Sequence, residues 1–141
     1  MILLDTNVLS ELMRPKPEQK VLAWLDVRPE NDVWISAVTV AEICLGIALL
    51  PEGKRRASLA ELAERMFFED FVERCLPFER TAASEYASIV ASRARIGHPI
   101  SVEDAQIAAI ARVCGLELAT RNTKDFGNID GLALIDPWLV H

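Results

Sequence analysis

The sequence has few cysteines, and it lacks any long run of apolar residues. Its three cysteines, Cys44, Cys75 and Cys114, include no Cys-x-x-Cys pair, which argues against a disulfide framework and is typical of a reducing compartment. The longest apolar stretch, "ICLGIALL", is too short to span a bilayer. Because "MILL" meets Asp5 almost at once, no signal peptide is predicted. We therefore predict a cytoplasmic protein that does not engage a membrane.

An excess of positive charge is also missing. The chain carries 15 Lys and Arg residues against 21 Asp and Glu residues, a formal net charge of −6. This balance excludes a protein that holds nucleic acid through a broad basic surface. A nucleic-acid enzyme stays compatible with it if the basic residues are local or if cations cover the acidic groups. The local basic groups are Arg14 with Lys16, Lys54 to Arg56, Arg93 with Arg95, and Arg121 with Lys124. Taken singly, each is more typical of a solvated surface.

Short apolar segments alternate with helical patterns along the whole chain, which is typical of one α/β domain over residues 1–141. The predicted strands are "MILL", "DVWIS", "CLPF", "LELAT" and "LALID". Helices are predicted between them, including one long amphipathic helix over "KRRASLAELAERMFFEDFVE". This order predicts a mostly parallel five-stranded sheet with helices on both faces, a three-layer α/β/α arrangement.

A carboxylate stands directly after the first predicted strand, in "MILLDTN". A free carboxylate at the edge of a core is costly unless water, a helix N-terminus or a metal ion compensates its charge. In parallel sheets of this class, ligands bind outside the carboxyl ends of the strands, where Asp5 lies. Thr120, Arg121 and Asn122 lie at the same end of the fourth predicted strand. We therefore predict the functional site at this edge of the sheet.

Two further carboxylates occupy unusual helical positions. Glu42, in "TVAEICLG", lies on a mostly apolar helix face, and Asp104, in "ISVEDAQIAAI", opens another helix. Each also has a purely structural interpretation. Thr39-x-x-Glu42 matches a capping box, and Ser101-x-x-Asp104 can cap the helix that follows it. Either stretch alone leaves both interpretations open.

The segment "TRNTKDF" supplies more polar side chains after the fourth strand, with Asn122 followed by Asp125 three residues later. It also fits a simple polar turn in which Asn122 adopts an unusual backbone conformation. Taken alone, this stretch favours the turn.

The combination of Asp5, Glu42 and Asp104 is more informative than any one of them. Three carboxylates in a small site raise one another's pKa or recruit a cation. An oxygen-only ligand set favours Mg²⁺ or Mn²⁺ over zinc, which prefers histidine and thiolate. Such a cluster suits metal-assisted hydrolysis of a phosphodiester bond, because the cation activates water and neutralises charge on the phosphate.

Four segments, in this order, resemble those of PIN-domain ribonucleases of the VapC/FitB type, the toxins of bacterial toxin–antitoxin pairs. The segments are "LLDTNVLSEL", "ISAVTVAEICLGI", "ISVEDAQIAAIA" and "LATRNTKDF", and the resemblance covers the whole chain. It implies a PIN-like α/β/α fold, Mg²⁺- or Mn²⁺-dependent cleavage of an RNA substrate, and a homodimer. It also implies a small antitoxin of the ribbon-helix-helix DNA-binding type, whose complex with the toxin binds operator DNA.

The resemblance also assigns residues to the site. It places the acidic catalytic and metal-binding positions of the family on Asp5, Glu42 and Asp104, with Thr6 and Thr120 as polar support. We expect Asp5 and Asp104 to hold the metal, and Glu42 to orient the attacking water or close a second metal site.

One position departs from the family pattern. The fourth acidic position falls on Asn122, which adds no charge, and Asp125 is the alternative group for that place. Arg121 and Lys124 flank the same turn, so we predict that they contact the RNA phosphate.

Three other functions share part of this pattern. The chain could be a weakly active binding module that acts mainly as a dimeric co-repressor with its antitoxin. A receiver-like phosphoacceptor needs a lysine after its last strand, and "LALIDPW" has none. A haloacid-dehalogenase-like phosphatase needs a second aspartate two residues after the first, where this chain has Asn7.

Overall fold

The computed structural model describes residues 1–139, in which five short strands form one parallel sheet. The strands are β1 (Ile2–Leu4), β2 (Val33–Ser36), β3 (Cys75–Leu76), β4 (Glu117–Ala119) and β5 (Leu134–Ile135). Their order across the sheet is β3-β2-β1-β4-β5, and every neighbouring pair is parallel. From β1 the chain adds β2 and β3 on one side of the sheet, and then β4 and β5 on the other side. Parallel sheets bind ligands at such a change of direction, which here lies between β1 and β4.

Six α-helices connect and follow these strands within the described part of the chain. They are α1 (Thr6–Leu12), α2 (Gln19–Asp26), α3 (Ala37–Ala48), α4 (Lys54–Arg65), α5 (Arg80–Arg95) and α6 (Val102–Cys114). None of the helices within residues 1–139 has the length and apolar character needed to cross a membrane.

The core lies on both faces of the sheet. Ile2 and Leu4 of β1 pack into a cluster with α1 to α4, whereas Leu3 faces the opposite cluster, built largely from α5 and α6. A strand that buries both of its faces has no polar alternation, which explains the unbroken apolar run "ILL". The three layers confirm the prediction of a parallel five-stranded sheet with helices on both faces.

The predicted helix over residues 54–73 is confirmed as far as Arg65, but its last turn differs and it ends before Glu73. The α-helix ends at Arg65, and Met66–Asp70 form a π-helical turn, which the Phe71 amide closes by donating to the Met66 carbonyl oxygen at 2.9 Å. Met66, Phe67 and Phe71 are all buried. Helical periodicity does not predict this turn, because a π-helical turn is a rare local change in an otherwise helical segment.

The register of the central strands positions the residues that follow them. Leu4 of β1 pairs with Ala119 of β4, and the Asp5 amide donates to the Ala119 carbonyl oxygen at 2.9 Å. Asp5 and Thr120 therefore leave the sheet side by side at its carboxyl edge. On the other side of β1, the chain leaves β2 at Ser36 and enters α3 at once.

Candidate functional site

A cleft of about 450 Å³ opens at the carboxyl edge of the sheet. Its walls are formed by polar and charged side chains from four segments, namely Asp5, Thr6, Asn7, Ser10, Glu11, Arg14, Glu42, Asp104 and Asn122. The structure thus brings together the three carboxylates that the sequence predicted as a group. Asn7, Ser10, Glu11 and Arg14 were not predicted as site residues.

Asp5 is the most buried carboxylate of the cleft, with 3% of its surface exposed. Its Oδ1 atom accepts a hydrogen bond from the Thr6 amide at 2.8 Å, so Asp5 is the N-cap of α1. Its Oδ2 atom accepts from the Thr120 hydroxyl at 2.7 Å and from Asn7 Nδ2 at 3.1 Å. Because both oxygens are engaged, the carboxylate is held in one orientation at the bottom of the cleft.

The environment of Asp5 disfavours its charge. Burial raises the pKa of Asp5 from 3.8 to about 6, although the hydrogen bonds from Thr120 and Thr6 act in the opposite direction. The negative charges of Asp104 and Glu42 raise this pKa further. The three carboxylates are therefore close enough to repel one another electrostatically.

Glu42 enters the cleft from α3, where its Oε1 atom accepts a hydrogen bond from the Thr6 hydroxyl at 2.7 Å. The capping-box interpretation of Glu42 is wrong. Ser36 is the N-cap of α3, with its Oγ accepting from the Thr39 amide at 3.1 Å, and Thr39 is a buried residue inside the helix. The Thr39 hydroxyl lies 3.0 Å from that of Thr6, so these two threonines join the first turns of α1 and α3.

Asp104 lies in the first turn of α6 and is half-buried. The predicted Ser101 cap is confirmed, because Ser101 Oγ accepts from the Asp104 amide at 3.2 Å, while the Asp104 side chain lines the cleft. Burial raises the pKa of Asp104, and hydrogen bonding to Ser101 lowers it. The charges of Asp125, Glu42 and Glu103 raise it further. One residue thus serves both the helix start and the cleft.

The segment after β4 forms a turn whose side chains support the cleft. Thr120 is fully buried, and its hydroxyl both donates to Asp5 and accepts from the Asn122 amide at 3.0 Å. The Asp125 amide donates to the Asn122 carbonyl oxygen at 3.0 Å. The polar turn exists, but Asn122 does not have the unusual backbone conformation considered above. Within residues 1–139, Asn128 alone among non-glycine residues has a positive φ, of 61°.

The basic residues predicted to contact RNA do not line the cleft. The guanidinium of Arg121 lies 4.9 Å from the centre of the Trp138 ring, and Lys124 is exposed on the turn. Arg14 does line the cleft: its NH1 atom lies 3.2 Å from Oε1 of Glu11. Glu11 is 6% exposed, whereas the Arg14 side chain is 65% exposed, so a buried carboxylate anchors an accessible cation at the rim.

The donor set fits a hard divalent cation. Within residues 1–139 there is no group of three or more His, Cys, Asp or Glu side chains that could hold a metal ion. Mg²⁺, however, needs only one or two carboxylates, because it retains several of its water molecules and leaves places for substrate phosphate. Asp5 and Asp104 supply such a pair, and the negative charge of Asp104 raises the pKa of Asp5, a repulsion that a bound cation would relieve.

Comparisons with known proteins agree with this geometry. The model of the PIN domain family matches residues 2–132. The chain is 45% identical over 138 residues to toxin FitB of Neisseria gonorrhoeae, covering 98% of this chain and 99% of that protein. It is 41% identical to VapC ribonuclease Y4jK of Sinorhizobium fredii, covering 98% of both chains.

A solved structure gives the same result in three dimensions. The structure of FitAB bound to the IR36 DNA fragment superposes on this chain with a TM-score of 0.91 at 43% sequence identity. The superposition covers 100% of this chain and 98% of that one.

Proposed function

The chain belongs to the PIN domain family and is a ribonuclease of the toxin–antitoxin type, and we propose that it hydrolyses RNA phosphodiester bonds with Mg²⁺ or Mn²⁺ held at Asp5 and Asp104. The family assignment confirms the resemblance found in the sequence. PIN-domain nucleases in general depend on divalent metal ions. The observation that supports this reaction most strongly is the convergence of Asp5, Glu42 and Asp104 on one cleft at the carboxyl edge of the sheet.

In this proposal each polar group of the cleft has a distinct task. Asp5 and Asp104 would hold the cation, which when bound lowers the pKa of the attacking water and neutralises charge on the phosphate. The Thr120 hydroxyl holds the Asp5 carboxylate in place. The Thr6 hydroxyl holds Oε1 of Glu42, and Oε2 accepts no hydrogen bond from residues 1–139, so it is free to orient the attacking water.

The turn after β4 supplies the fourth group of the proposed site. Asn122 lines the cleft and would act as a neutral ligand or orient a water molecule. Asp125 lies outside the cleft lining, yet its charge raises the pKa of Asp104. We therefore assign Asn122 to the cleft wall and Asp125 to an outer position, where it adds negative potential without direct ligation.

An antitoxin is the proposed protein partner. The structure of the FitB relative contains FitA together with DNA, and the present chain superposes on it over its whole length. By this likeness, the chain would bind a small antitoxin and reach operator DNA only through that complex. The resemblance to toxins of the VapC/FitB type also implies a homodimer. A ribbon-helix-helix antitoxin is the type implied by the resemblance to FitB.

Cleavage of RNA by the purified chain tests the proposed reaction. We expect cleavage with Mg²⁺ or Mn²⁺, no cleavage with excess EDTA, and recovery when Mn²⁺ is added back, because the carboxylates alone repel the phosphate. A folded chain that binds its antitoxin but cleaves no RNA with any divalent metal would contradict the proposal. That outcome would favour the alternative in which the protein is mainly a dimeric co-repressor.

Arg14 is expected to contribute more to RNA binding than Arg121, because only Arg14 lines the cleft. The experiment uses an Asp104→Asn background, which prevents cleavage. The RNA-binding constant falls as the salt concentration rises, and Arg14→Gln should make the plot of its logarithm against log salt less steep by about one unit. Glutamine retains a polar group beside Glu11, which limits any loss of stability.

Arg121→Gln is the matched control for this experiment. Arg121 follows β4 at the carboxyl edge of the sheet, and its guanidinium packs on the Trp138 ring outside the cleft. The substitution therefore removes one positive charge, as Arg14→Gln does, but not from the cleft wall. A reduced salt slope in Arg121→Gln with an unchanged slope in Arg14→Gln would restore the original prediction for Arg121 and Lys124.

A further inference from the structure

A buried guanidinium lies behind one wall of the cleft. Arg93 of α5 is 5% exposed, and no carboxylate within residues 1–139 lies within 4.0 Å of it. Burying an arginine charge is unfavourable unless hydrogen bonds replace its hydration. The sequence "SRARIG" gave no sign of this burial, since Arg93 and the exposed Arg95 occur in the same local context.

Three backbone carbonyl groups replace the lost hydration of Arg93. Its Nε atom donates to the His98 carbonyl oxygen at 2.7 Å. Its NH1 atom donates to the carbonyl oxygens of Asp125 at 2.8 Å and Gly127 at 3.0 Å. One side chain therefore binds two chain segments that are almost 30 residues apart in the sequence.

Both of these segments lead directly into the cleft. The segment at His98 continues to Ser101, the N-cap of α6, and so to Asp104. The segment that ends at Gly127 starts after β4 and carries Asn122 and Asp125. Arg93 thus joins the segment that leads to Asp104 to the segment that carries Asn122.

We propose that Arg93 is a positioning residue, which fixes the Asp104 side of the cleft relative to the Asn122 side and thereby sets the affinity of the cleft for a divalent cation. This inference rests on the proposed function. Residues that hold metal ligands in place commonly change metal affinity by about tenfold to a hundredfold when they are replaced. Hard cations respond to how closely their oxygen ligands approach, so a small separation of the two walls weakens binding.

The test is the affinity of the whole chain for Mn²⁺, measured by isothermal titration calorimetry below the unfolding temperature of every variant. Arg93→Met keeps much of the side-chain length but removes all three hydrogen bonds, and we expect its Kd for Mn²⁺ to rise at least about tenfold. Arg93→Lys retains the charge and one donor group, so its Kd should fall between those of Arg93→Met and the wild type.

Arg112→Met is the matched control. Arg112 is a second arginine with few exposed atoms, although its side chain is 20% exposed. Its Nε atom donates to Glu85 at 2.9 Å and its NH1 atom to the Asp130 carbonyl oxygen at 3.0 Å. It supports the chain just beyond the same turn and does not line the cleft. We expect Arg112→Met to unfold at a lower temperature and to bind Mn²⁺ as the wild type does.

Each other outcome has a definite meaning. A wild-type Kd in folded Arg93→Met, or an equal rise in Kd in Arg112→Met, would overturn the positioning role and leave the proposed function standing. If Arg93→Met does not fold, Arg93→Lys decides, and an unchanged Kd there would contradict the inference. No Mn²⁺ binding by the wild-type chain would contradict the proposed function and this inference together.

Discussion

Replacing Asp104 by asparagine is expected to lower the rate of Mn²⁺-dependent RNA cleavage at least about a hundredfold. Replacing a residue that only supports a metal ligand already lowers activity by up to about a hundredfold, and Asp104 is a proposed ligand itself. Asparagine keeps the shape of the side chain and removes its charge. The cap of α6 should survive, because it is the Asp104 amide, not its carboxylate, that donates to Ser101 Oγ. The measurement is the single-turnover cleavage rate, with circular dichroism to verify folding.

Glu103→Gln is the control for this experiment. Glu103 is the preceding residue in the first turn of α6, it is exposed, and its charge also raises the pKa of Asp104. The Glu103→Gln substitution therefore removes one negative charge from the same helix terminus without removing a proposed metal ligand. Near-normal cleavage by Asp104→Asn, or an equal loss in Glu103→Gln, would show that Asp104 does not hold the metal.

The fold was predictable because its strands and helices carry strong local signals. The "ILL" run is apolar on both faces, as expected for the central strand of a parallel sheet. Gly97 and Gly115 end their helices with φ values of 77° and 67°, a region that glycine enters without steric strain. The π-helical turn after Arg65 was missed because packing of Phe67 and Phe71, which periodicity does not report, determines it.

The three carboxylates of the cleft were predictable for a different reason. Asp5 directly follows a buried strand and Glu42 interrupts an apolar helix face, and at both places an uncompensated charge is unfavourable. Asp104 opens a helix, where negative charge is favourable, so it was informative only in combination with the other two. The structure places all three in one cleft. The competing capping interpretation failed for Glu42, because the α3 helix begins at Ala37, before Thr39.

The cations of the site were not predictable in the same way. Glu11 and Arg14 form an ordinary i,i+3 pair in the sequence, and only the fold shows that Glu11 is buried beside the cleft. The available signal in the sequence was the position of Glu11 among the apolar residues of "NVLSELM". Arg93 had no local signal, because its partners are backbone carbonyl groups from distant segments.

Asp5→Asn is expected to make the metal-free protein more stable at neutral pH, and the gain should disappear in acid. The pKa of Asp5 is about 6 in the folded protein against 3.8 ordinarily. Because the folded state binds this proton more tightly, the free energy of unfolding falls as the pH rises from about 4 to about 6. That difference in pKa corresponds to about 3 kcal/mol. Removing the carboxylate should recover part of it and raise the Tm by several degrees.

The same variant should lose the stabilisation that the wild type gains from Mn²⁺, which reaches about 2.7 kcal/mol when the free metal is a hundredfold above Kd. Urea unfolding at pH 4 and pH 7.5, with EDTA or with Mn²⁺, measures both effects. Asp26→Asn, at an exposed position at the end of α2, controls for the general loss of one negative charge from a chain of net charge −6. Lower stability of Asp5→Asn than of the wild type at pH 7.5 without metal would contradict this prediction. It would mean that the three hydrogen bonds to the Asp5 carboxylate outweigh the unfavourable burial of its charge. The metal-free cleft would then not be destabilised by charge that a cation compensates.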